Sequence, residues 1–281
     1  MSDQSPLAGR TAMITGAANG MGRVMARALA AKGARIAAVD IAAAALDQLA
    51  AEPVFDGRLI KLVTDVSQAA ACRDAVQAVI DTGGGPDILI NCAGISMFAA
   101  GTPNDSRIKF YETKPDGWQR ILAINLIGAF LMARFAAPPM IARKWGRIVN
   151  VTTSFDTMMA AGLSAYGASK AALEASSAIW AKDLAGTGVS VNILVPGGPT
   201  ETEGFFPAGR PRPPVLLNPE IMGPPIAWLA SPASDGVTGC RFIARDWDTR
   251  MPPGDAAARV TAPIGWPDLA TGASAARGSA M

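Results

Sequence analysis

The chain contains no histidine among its 281 residues. Histidine is the usual proton carrier near neutral pH and a common ligand of catalytic zinc. Its absence therefore excludes Ser-His-Asp and Cys-His catalysis as well as histidine-ligated metal sites. Acid–base chemistry near pH 7 is left to tyrosine, lysine, carboxylates or thiols.

Cysteine and charge are also scarce. Cys72, Cys92 and Cys240 are odd in number and widely spaced, which indicates free, buried thiols and neither a disulfide framework nor a metal site. Charged residues make up 17% of the chain and the net charge is +2, so nucleic acid and membrane surfaces are not expected as partners. No apolar run reaches the length of a membrane span and no signal peptide is recognised, so a cytoplasmic location is predicted.

The pattern of the chain alternates short, apolar, β-rich runs with longer, alanine-rich helical stretches. Strands are predicted at Thr11–Thr15, Arg35–Asp40, Leu59–Thr64, Asp87–Asn91, Arg147–Thr152, Val189–Val195 and Cys240–Ala244. Helices are predicted at Gly20–Lys32, Ile41–Ala51, Gln68–Thr82, Pro115–Ala137, Ala165–Ala185 and Pro219–Ala230. Strands that are apolar on both faces and separated by helices indicate an α/β fold with a parallel sheet covered on both sides.

A glycine-rich turn follows the first strand and opens the first helix. Its residues are Gly16, Asn19, Gly20, Met21 and Gly22. Glycines let the backbone approach a pyrophosphate, and the helix N-terminus supplies unpaired N–H groups and a favourable dipole. A lone glycine pattern is weak, but this position in an α/β chain favours dinucleotide binding over a simple tight turn.

Asp40, followed by Ile41, ends the second predicted strand. A carboxylate at this distance from the glycine turn suits the ribose hydroxyls of the adenosine and repels a 2′-phosphate, so NAD is predicted as the cofactor and NADP is disfavoured. The alternative is a solvated or capping aspartate.

Tyr166 and Lys170 lie four residues apart, which places them on one face of a helix, one turn apart. An ammonium near a phenol favours the phenolate and can bring it into the range of proton transfer. An ordinary amphipathic helix carrying both residues is the alternative interpretation for the pair alone.

From about Leu7 to Ile243 the chain resembles the short-chain dehydrogenase/reductase family. The resemblance rests on the glycine turn, on Tyr166 with Lys170, and on further motifs in the family's order. These are Asp65-Val66, Asn91-Cys92-Ala93-Gly94, Ile124-Asn125-Leu126, Gly146-Arg147-Ile148-Val149-Asn150 and Val191-Asn192-Ile193-Leu194-Val195-Pro196-Gly197. The family usually shows Asn-Asn-Ala-Gly where this chain has Asn91 to Gly94.

The resemblance implies a single-domain, doubly wound, Rossmann-type parallel sheet with helices on both faces. Residues 1–250 are expected to form the dinucleotide-binding and catalytic domain, with a substrate loop at about 197–218, and residues 251–281 a C-terminal tail or lid. The stretch before Asn125 is longer than usual, as if a loop around Thr102–Lys114 had been inserted. A homotetramer or homodimer is also implied.

The resemblance further assigns roles to individual residues. Tyr166 exchanges the proton of the substrate oxygen, Lys170 lowers the pKa of Tyr166 and bonds the nicotinamide ribose, and Asn125 holds a water that links Lys170 to solvent. Asp65 and Val66 flank the adenine, and Asn91, Ala93 and Gly94 line the ribose side.

The serine that the family places ahead of the tyrosine is replaced here by Thr153, which is followed by Ser154. A threonine hydroxyl can make the same hydrogen bond, although its methyl group crowds the site. Thr153 is therefore expected to fill the serine role, and a one-residue bulge presenting Ser154 is the alternative. A third interpretation makes both hydroxyls loop caps.

A second departure follows the sixth strand, at Pro196-Gly197-Gly198-Pro199-Thr200. In the family, the residue at Pro199 commonly offers both an N–H and a carbonyl to the nicotinamide carboxamide. Proline has no N–H, so the carbonyl of Pro199 is expected to accept, with Thr200 or Thr202 as the donor.

The substrate pocket is expected to be apolar. Its predicted lining is Ser96, Met97, Phe98, Phe155, Met158, Met159, Phe205 and Phe206, with Arg210, Arg212 and Arg245 as weaker candidates for a substrate carboxylate. This lining favours an alicyclic or aromatic secondary alcohol and an NAD-dependent dehydrogenase working mainly in the oxidative direction. A 3-oxoacyl-type reductase and a non-catalytic NAD-sensing regulator are the alternatives.

Overall fold

The computed structural model describes residues 5–97, 108–202 and 214–266. Within these ranges the strands form one eight-stranded sheet in the order β3-β2-β1-β4-β5-β6-β7-β8. The strands are β1 Thr11–Thr15, β2 Arg35–Asp40, β3 Leu59–Val63, β4 Ile88–Asn91, β5 Gly146–Val151, β6 Val189–Val195, β7 Cys240–Ile243 and β8 Thr261–Pro263. Neighbouring strands from β3 to β7 pair in parallel, and β8 pairs with β7 antiparallel.

Helices cover both faces of this sheet. They are α1 Gly20–Ala30, α2 Ala43–Ala50, α3 Ala69–Asp81, α4 Pro115–Leu122, α5 Ala129–Ala142, α6 Phe155–Met158, α7 Ser164–Asp183, α8 Gly223–Leu229 and α9 Pro253–Val260. Side chains of α1, α2, α8 and α9 pack on one face of the sheet, and those of α3, α5 and α7 pack on the other. The predicted doubly wound parallel sheet with helices on both faces is confirmed.

The central strands explain why this sheet is buried on both sides. All residues of β4, β5 and β6 are buried, as expected for parallel strands whose apolar side chains alternate between two helical layers. The carboxyl ends of these strands meet at one edge of the sheet, and the order β2-β1-β4 reverses direction at β1. Ligands of open α/β sheets bind at such a reversal.

The predicted helix Pro115–Ala137 differs from the structure in two ways. Its middle, Ala123–Gly128, is a π-helical turn, and helix α5 continues through Pro138 and Pro139 to Ala142. The continuation is stabilised by Met140, which is fully buried in the core.

The whole helical stretch Pro115–Ala142 is long and apolar enough to cross a membrane by length and composition, contrary to the sequence expectation. About 44% of its most apolar window is buried inside the protein, and α5 packs on α3, β4 and β5. A core helix passes the same length and composition test, so this is weak support for a membrane span.

The segment expected as a tail or lid contains regular structure where it is described. Helix α9 places Ala256, Ala257 and Val260 in the core, and β8 extends the sheet beyond β7. The sequence did not predict this helix, because alanines and prolines outnumber the few apolar residues that form its buried face. Residues 267–281 lie outside the described residues, and for them the tail or lid stays a prediction.

Candidate active site

The glycine-rich turn is shaped by close backbone contacts. Gly16 has φ of +66°, and a Cβ on Gly22 would lie 2.0 Å from the carbonyl oxygen of Gly16. Only glycine fits at position 22 without moving backbone. The side chain of Asn19, the N-cap residue of α1, makes no capping hydrogen bond, so the first N–H groups of α1 remain available to an anion.

Thr15, at the end of β1, fixes the neighbouring loop. Its Oγ1 accepts hydrogen bonds from the N–H groups of Cys92 at 3.1 Å and Ala93 at 3.0 Å. This residue was missed as a functional position. The feature that could have identified it is a polar residue at the end of an otherwise apolar, buried strand.

The carboxylate of Asp40 is held by two backbone N–H groups. Oδ2 accepts from Ala18 N at 3.0 Å and Oδ1 accepts from Ala42 N at 3.0 Å. Asp40 therefore ties the glycine turn to the end of β2, and its negative charge is fixed beside the turn.

These elements line one groove, which we call the cofactor groove, with a volume of about 370 Å³. Eleven of the predicted cofactor residues line it: Gly16, Asn19, Gly20, Met21, Gly22, Asp40, Ile41, Asp65, Val66, Ala93 and Gly94. Val39, Ala42, Thr64, Cys92, Ile95, Arg120, Ile124 and Thr202 line it as well. Uncapped N–H groups, close glycines and a fixed carboxylate in one groove fit a dinucleotide.

Two groove residues that follow β3 and β4 were also given roles by the sequence. Asp65 Oδ1 accepts from the N–H and the hydroxyl of Ser67, which fixes the turn before α3. Burial raises the pKa of the Cys92 thiol to about 12, so this cysteine stays protonated. All three cysteines are free, but Cys72 is the one that is buried, whereas Cys92 and Cys240 are partly exposed.

Asn91 does not line the cofactor groove. Its side chain is buried between strands and donates to Asn150 Oδ1 at 2.8 Å and to the carbonyl of Ala129 at 3.3 Å. The side chain therefore joins β4 to β5 and α5, because it points into the helical layer at the strand end.

Pro196, Gly197, Pro199 and Thr200 also lie outside the groove lining. The carbonyl of Pro199 accepts from Leu217 N at 2.8 Å, and Thr200 Oγ1 donates to the carbonyl of Gly198 at 3.1 Å. A backbone bridge between Thr200 and Leu217 thus engages the groups expected to hold a carboxamide. Of the two predicted donors, Thr202 is the one that lines the groove.

Tyr166 stands at the first turn of α7 and hydrogen-bonds to the Thr153 side chain. Lys170, one turn on, is buried, and its Nζ donates to the carbonyl of Val151 at 2.8 Å. A Cβ on Gly94 would lie 3.6 Å from Lys170 Nζ. Lys170 therefore lies beside Gly94, which lines the cofactor groove, although neither Tyr166 nor Lys170 is part of the groove lining.

Asn125 joins this group from the π-helical turn between α4 and α5. Its Oδ1 accepts from Ile95 N at 2.8 Å, and its Nδ2 donates to the Ile95 carbonyl at 3.0 Å and to Ser169 Oγ at 3.1 Å. The side chain is fixed between the groove loop and α7. π-Helical turns inside α-helices often mark functional sites.

Burial controls the proton affinities of Tyr166 and Lys170. It raises the pKa of Tyr166 to about 12, against the lowering effect of the hydrogen bond with Thr153. It lowers the pKa of Lys170 to about 8. The sequence expectation that the ammonium lowers the pKa of Tyr166 is not met in this structure, because loss of solvent is the largest effect on both groups.

Ser154 has a different role from Thr153. It is the N-cap of α6, where its Oγ accepts from Thr157 N at 3.3 Å and lies 2.9 Å from Thr157 Oγ1. The capping interpretation therefore describes Ser154, and the hydroxyl that contacts Tyr166 belongs to Thr153.

The predicted pocket lining is only partly assembled. Met97 is buried in a small cluster with Ile108, Ile121 and Ala165, against which Tyr166 packs. Met158 is also buried.

Other members of that lining have different surroundings. Met159 is 83% exposed, Ser96 is buried, and Arg245 pairs with Asp246 at the surface. Phe98, Phe205, Phe206, Arg210 and Arg212 lie outside the described residues.

The family model described as short chain dehydrogenase matches residues 10–207. The chain belongs to the short-chain dehydrogenase/reductase family.

Curated relatives agree with this assignment. A D-beta-hydroxybutyrate dehydrogenase of Cupriavidus necator is 37% identical over 194 residues, which cover 68% of this chain and 71% of the relative. A 3-oxoacyl-(acyl-carrier-protein) reductase of Thermotoga maritima is 32% identical over 247 residues, which cover 83% of this chain and 95% of the relative.

Solved structures are similar over most of the chain. A short-chain type dehydrogenase/reductase from Mycobacterium marinum has a TM-score of 0.73 at 29% identity, covering 86% of this chain and 95% of that one. A metagenomic short-chain oxidoreductase in complex with NADP has a TM-score of 0.68 at 28% identity, and the match covers 80% of this chain and 92% of that one. A 3-ketoacyl-(acyl-carrier-protein) reductase from Brucella melitensis complexed with NADH has a TM-score of 0.70 at 28% identity, and the match covers 82% of this chain and 94% of that one. The chain is thus an oxidoreductase for alcohol and ketone groups, of a family that uses NAD or NADP.

Proposed function

We propose that the protein is an NAD-dependent dehydrogenase that interconverts an alicyclic or aromatic secondary alcohol and its ketone. The observation that carries this proposal is the hydrogen bond between Thr153 and Tyr166 beside buried Lys170, which lies next to Gly94 of the cofactor groove. A hydroxyl pair held next to a dinucleotide groove suits proton exchange with a substrate oxygen.

In this mechanism Thr153 orients the substrate oxygen and Tyr166 exchanges its proton. A nicotinamide held in the cofactor groove would supply the hydride acceptor for alcohol oxidation, or the hydride donor for ketone reduction. Tyr166 holds its proton at neutral pH, since its pKa is about 12. The cofactor-free site is therefore set to donate a proton to a ketone, and oxidation needs the phenolate, whose fraction grows as the pH rises.

Lys170 and Asn125 support the proton exchange. Lys170, with a pKa of about 8, is mostly charged at pH 7, and we assign it the role of binding the nicotinamide ribose. Asn125, fixed by Ile95 and Ser169, is assigned the water that connects Lys170 to solvent.

The preference for NAD rests on Asp40. Its carboxylate is held in place by Ala18 N and Ala42 N at the edge of the groove, where it accepts hydrogen bonds from ribose hydroxyls and repels a 2′-phosphate. Arg120 also lines the groove, but it belongs to α4 and does not follow Asp40 in the chain.

The substrate class rests on the apolar surroundings of Tyr166, which packs against the cluster of Met97, Ile108, Ile121 and Ala165. A 3-oxoacyl-type reductase is the second candidate, favoured by the relative from Thermotoga maritima. Asp40 argues against an NADPH-dependent form of it. A non-catalytic NAD sensor is disfavoured, because a sensor has no need of Thr153, Tyr166 and Lys170 together.

The test follows NADH formation at 340 nm with cyclohexanol, 1-phenylethanol and other secondary alcohols, and the reverse reaction with their ketones. We expect turnover in the wild type and a loss of about 10²-fold or more in kcat for Tyr166→Phe, since general acid–base catalysis contributes this much. Tyr111→Phe, at the exposed second tyrosine, is the control. Absence of turnover with every substrate favours the sensor, and full activity in Tyr166→Phe refutes the mechanism.

For the assembly we propose a cytoplasmic homotetramer or homodimer that uses the helices around Asn125 and Tyr166. Ile127, Phe130 and Ile179 support this, because they are exposed large apolar side chains on these helices. Sedimentation velocity of the wild type and of Phe130→Glu with Ile179→Glu tests it, and a monomeric wild type contradicts it.

A further inference from the structure

Beneath the Thr153–Tyr166 pair lies a buried ion pair that the proposed mechanism does not use. Glu174 on α7 is fully buried and Arg241 on β7 is 5% exposed. Arg241 Nε lies 3.1 Å from Glu174 Oε1. Taking two charges out of water is costly, and a pair of this kind is poor support for stability by itself.

The arginine reaches from this pair to the active-site loop. Its Nη2 donates to the backbone carbonyl of Thr153 at 3.0 Å, and its guanidinium lies over the ring of Phe155 at 4.1 Å. One planar group thus contacts Glu174, Thr153 and Phe155. A guanidinium presents several N–H groups in a rigid fork, whereas an ammonium is a single point charge on a flexible stem.

The glutamate holds the same loop from the other side and connects it to the C-terminal segment. Glu174 Oε2 accepts from Thr152 Oγ1 at 3.0 Å, and Oε1 accepts from Gly265 N at 3.4 Å. Glu174 lies on α7, one turn beyond Lys170, so the pair joins the helix that carries Tyr166 to the loop that carries Thr153.

We propose that Arg241 and Glu174 are positioning residues that set the Thr153 hydroxyl against Tyr166. This inference rests on the proposed function, since it assigns the pair a role in that reaction. The ion pair fixes the backbone of Thr152 and Thr153 at the end of β5, and the threonine side chain then has one position relative to the tyrosine hydroxyl. Arg241 is not part of the cofactor groove lining and bonds the active-site loop at the Thr153 carbonyl, so its effect passes through Thr153.

The test is a double-mutant cycle between Arg241→Lys and Thr153→Ala, measured on the full chain with saturating NAD and the fastest alcohol of the panel. Lysine keeps the charge opposite Glu174 but cannot contact Glu174 and the Thr153 carbonyl in one plane. Thr153→Ala removes the hydroxyl and keeps that carbonyl. We expect Arg241→Lys to lower kcat about tenfold in the wild type, and to have no further effect in the Thr153→Ala background.

Two additional readouts separate positioning from a general structural loss. Arg241→Lys is expected to leave the Kd of NADH unchanged. It is also expected to move the alkaline rise of kcat/KM for oxidation to higher pH, because a loosened Thr153 lowers the pKa of Tyr166 less. Arg147→Lys is the matched control, since Arg147 is equally buried, pairs with Asp235 and lies at the opposite end of the sheet. It is expected to change the melting temperature and to leave kcat and the pH profile unchanged.

Glu174→Gln provides the second variant if Arg241→Lys does not fold. Glutamine keeps the size of the side chain and an acceptor for Arg241, so we expect a smaller loss of kcat than for Arg241→Lys. This loss must also vanish in the Thr153→Ala background. The inference is overturned if Arg241→Lys or Glu174→Gln lowers kcat by the same factor with and without Thr153→Ala. It is also overturned if both variants have wild-type kinetics. Either result leaves the proposed function standing. Wild-type activity in Thr153→Ala overturns both the role of Thr153 and the inference.

Discussion

At the residue scale, burial shifts the pKa of each of the two groups expected to exchange protons toward its uncharged form. Tyr166 has a pKa of about 12 and Lys170 a pKa of about 8. The spacing of the two residues could be read from the sequence, but the balance between attraction and loss of solvent could not. That balance depends on the depth of the site, which the packing of α7 against β5 and the groove loop decides.

Lys170 is expected to destabilise the cofactor-free protein at neutral pH. Its pKa falls from 10.5 in the unfolded chain to about 8, so the unfolded state binds more protons between these values and stability rises with pH there. Lys170→Met should be more stable than the wild type by about 3 kcal/mol at pH 7. The difference should shrink above pH 8 and be lost above about pH 10.5.

The measurement is urea unfolding of the cofactor-free protein across this pH range. Lys182→Met is the control, because Lys182 is an exposed lysine of the same helix. A stability difference for Lys170→Met that does not change with pH would contradict the buried charge.

Asp40 sets the expected choice of cofactor. Asp40→Asn keeps the size of the side chain and removes the charge that opposes a 2′-phosphate. The ratio of kcat/KM for NAD over NADP should fall about tenfold, which corresponds to about 1.4 kcal/mol. Asp47→Asn, an exposed carboxylate of α2, should leave the ratio unchanged. A wild type that prefers NADP would refute the proposed NAD dependence.

At the element scale, the start of α7 depends on its contact with the short helix α6. A Cβ on Gly167 would lie 2.2 Å from the carbonyl oxygen of Met158, so the two backbones meet directly beside Tyr166. Gly167→Ala must push α6 away, with a cost of about 1–3 kcal/mol, and the loop carrying Thr153 must move with it.

We therefore expect Gly167→Ala to lower both the melting temperature and kcat. Calorimetry and the alcohol assay measure the two effects. Ala168→Ser, at the next position and exposed, should change neither. Normal kcat in a destabilised Gly167→Ala protein would show that α6 does not position the loop.

The elements differ in how well the sequence predicted them. The strands β1, β2 and β6 were predicted to the residue, because their apolar runs end at a glycine, a proline or a charged residue. The helix interrupted at Asn125 was predicted as continuous, since a π-helical turn has no composition of its own and depends on the contacts of Asn125 with Ile95 and Ser169.

The cofactor groove was largely predictable because it depends on local backbone shape. The contacts of Pro199 with Leu217, and of Thr153 with Arg241, were not predictable because they join distant parts of the chain.

At the scale of the whole molecule, residues 251–266 belong to the folded core. α9 covers α8 with Ala256, Ala257 and Val260, β8 covers the edge of β7, and Gly265 bonds Glu174. A chain that ends at Pro252 should lose several kcal/mol of unfolding free energy, since it loses this buried apolar surface at about 25 cal/mol per Å².

Melting temperature and light scattering test this prediction, with a chain that ends at Trp266 as the control. The control keeps α9 and β8 and should melt close to the full chain, whereas the shorter chain should melt earlier and associate. Equal melting temperatures for the two truncations would contradict a stabilising role for this segment.

The antiparallel pairing of β8 also limits how copies of the chain can meet. β8 is three residues long, fully exposed on its outer side and ends in Pro263, which has no N–H to donate. Short, proline-bearing edge strands are poor templates for pairing with another sheet. At this edge of the sheet, therefore, β8 disfavours strand pairing with a second copy of the chain.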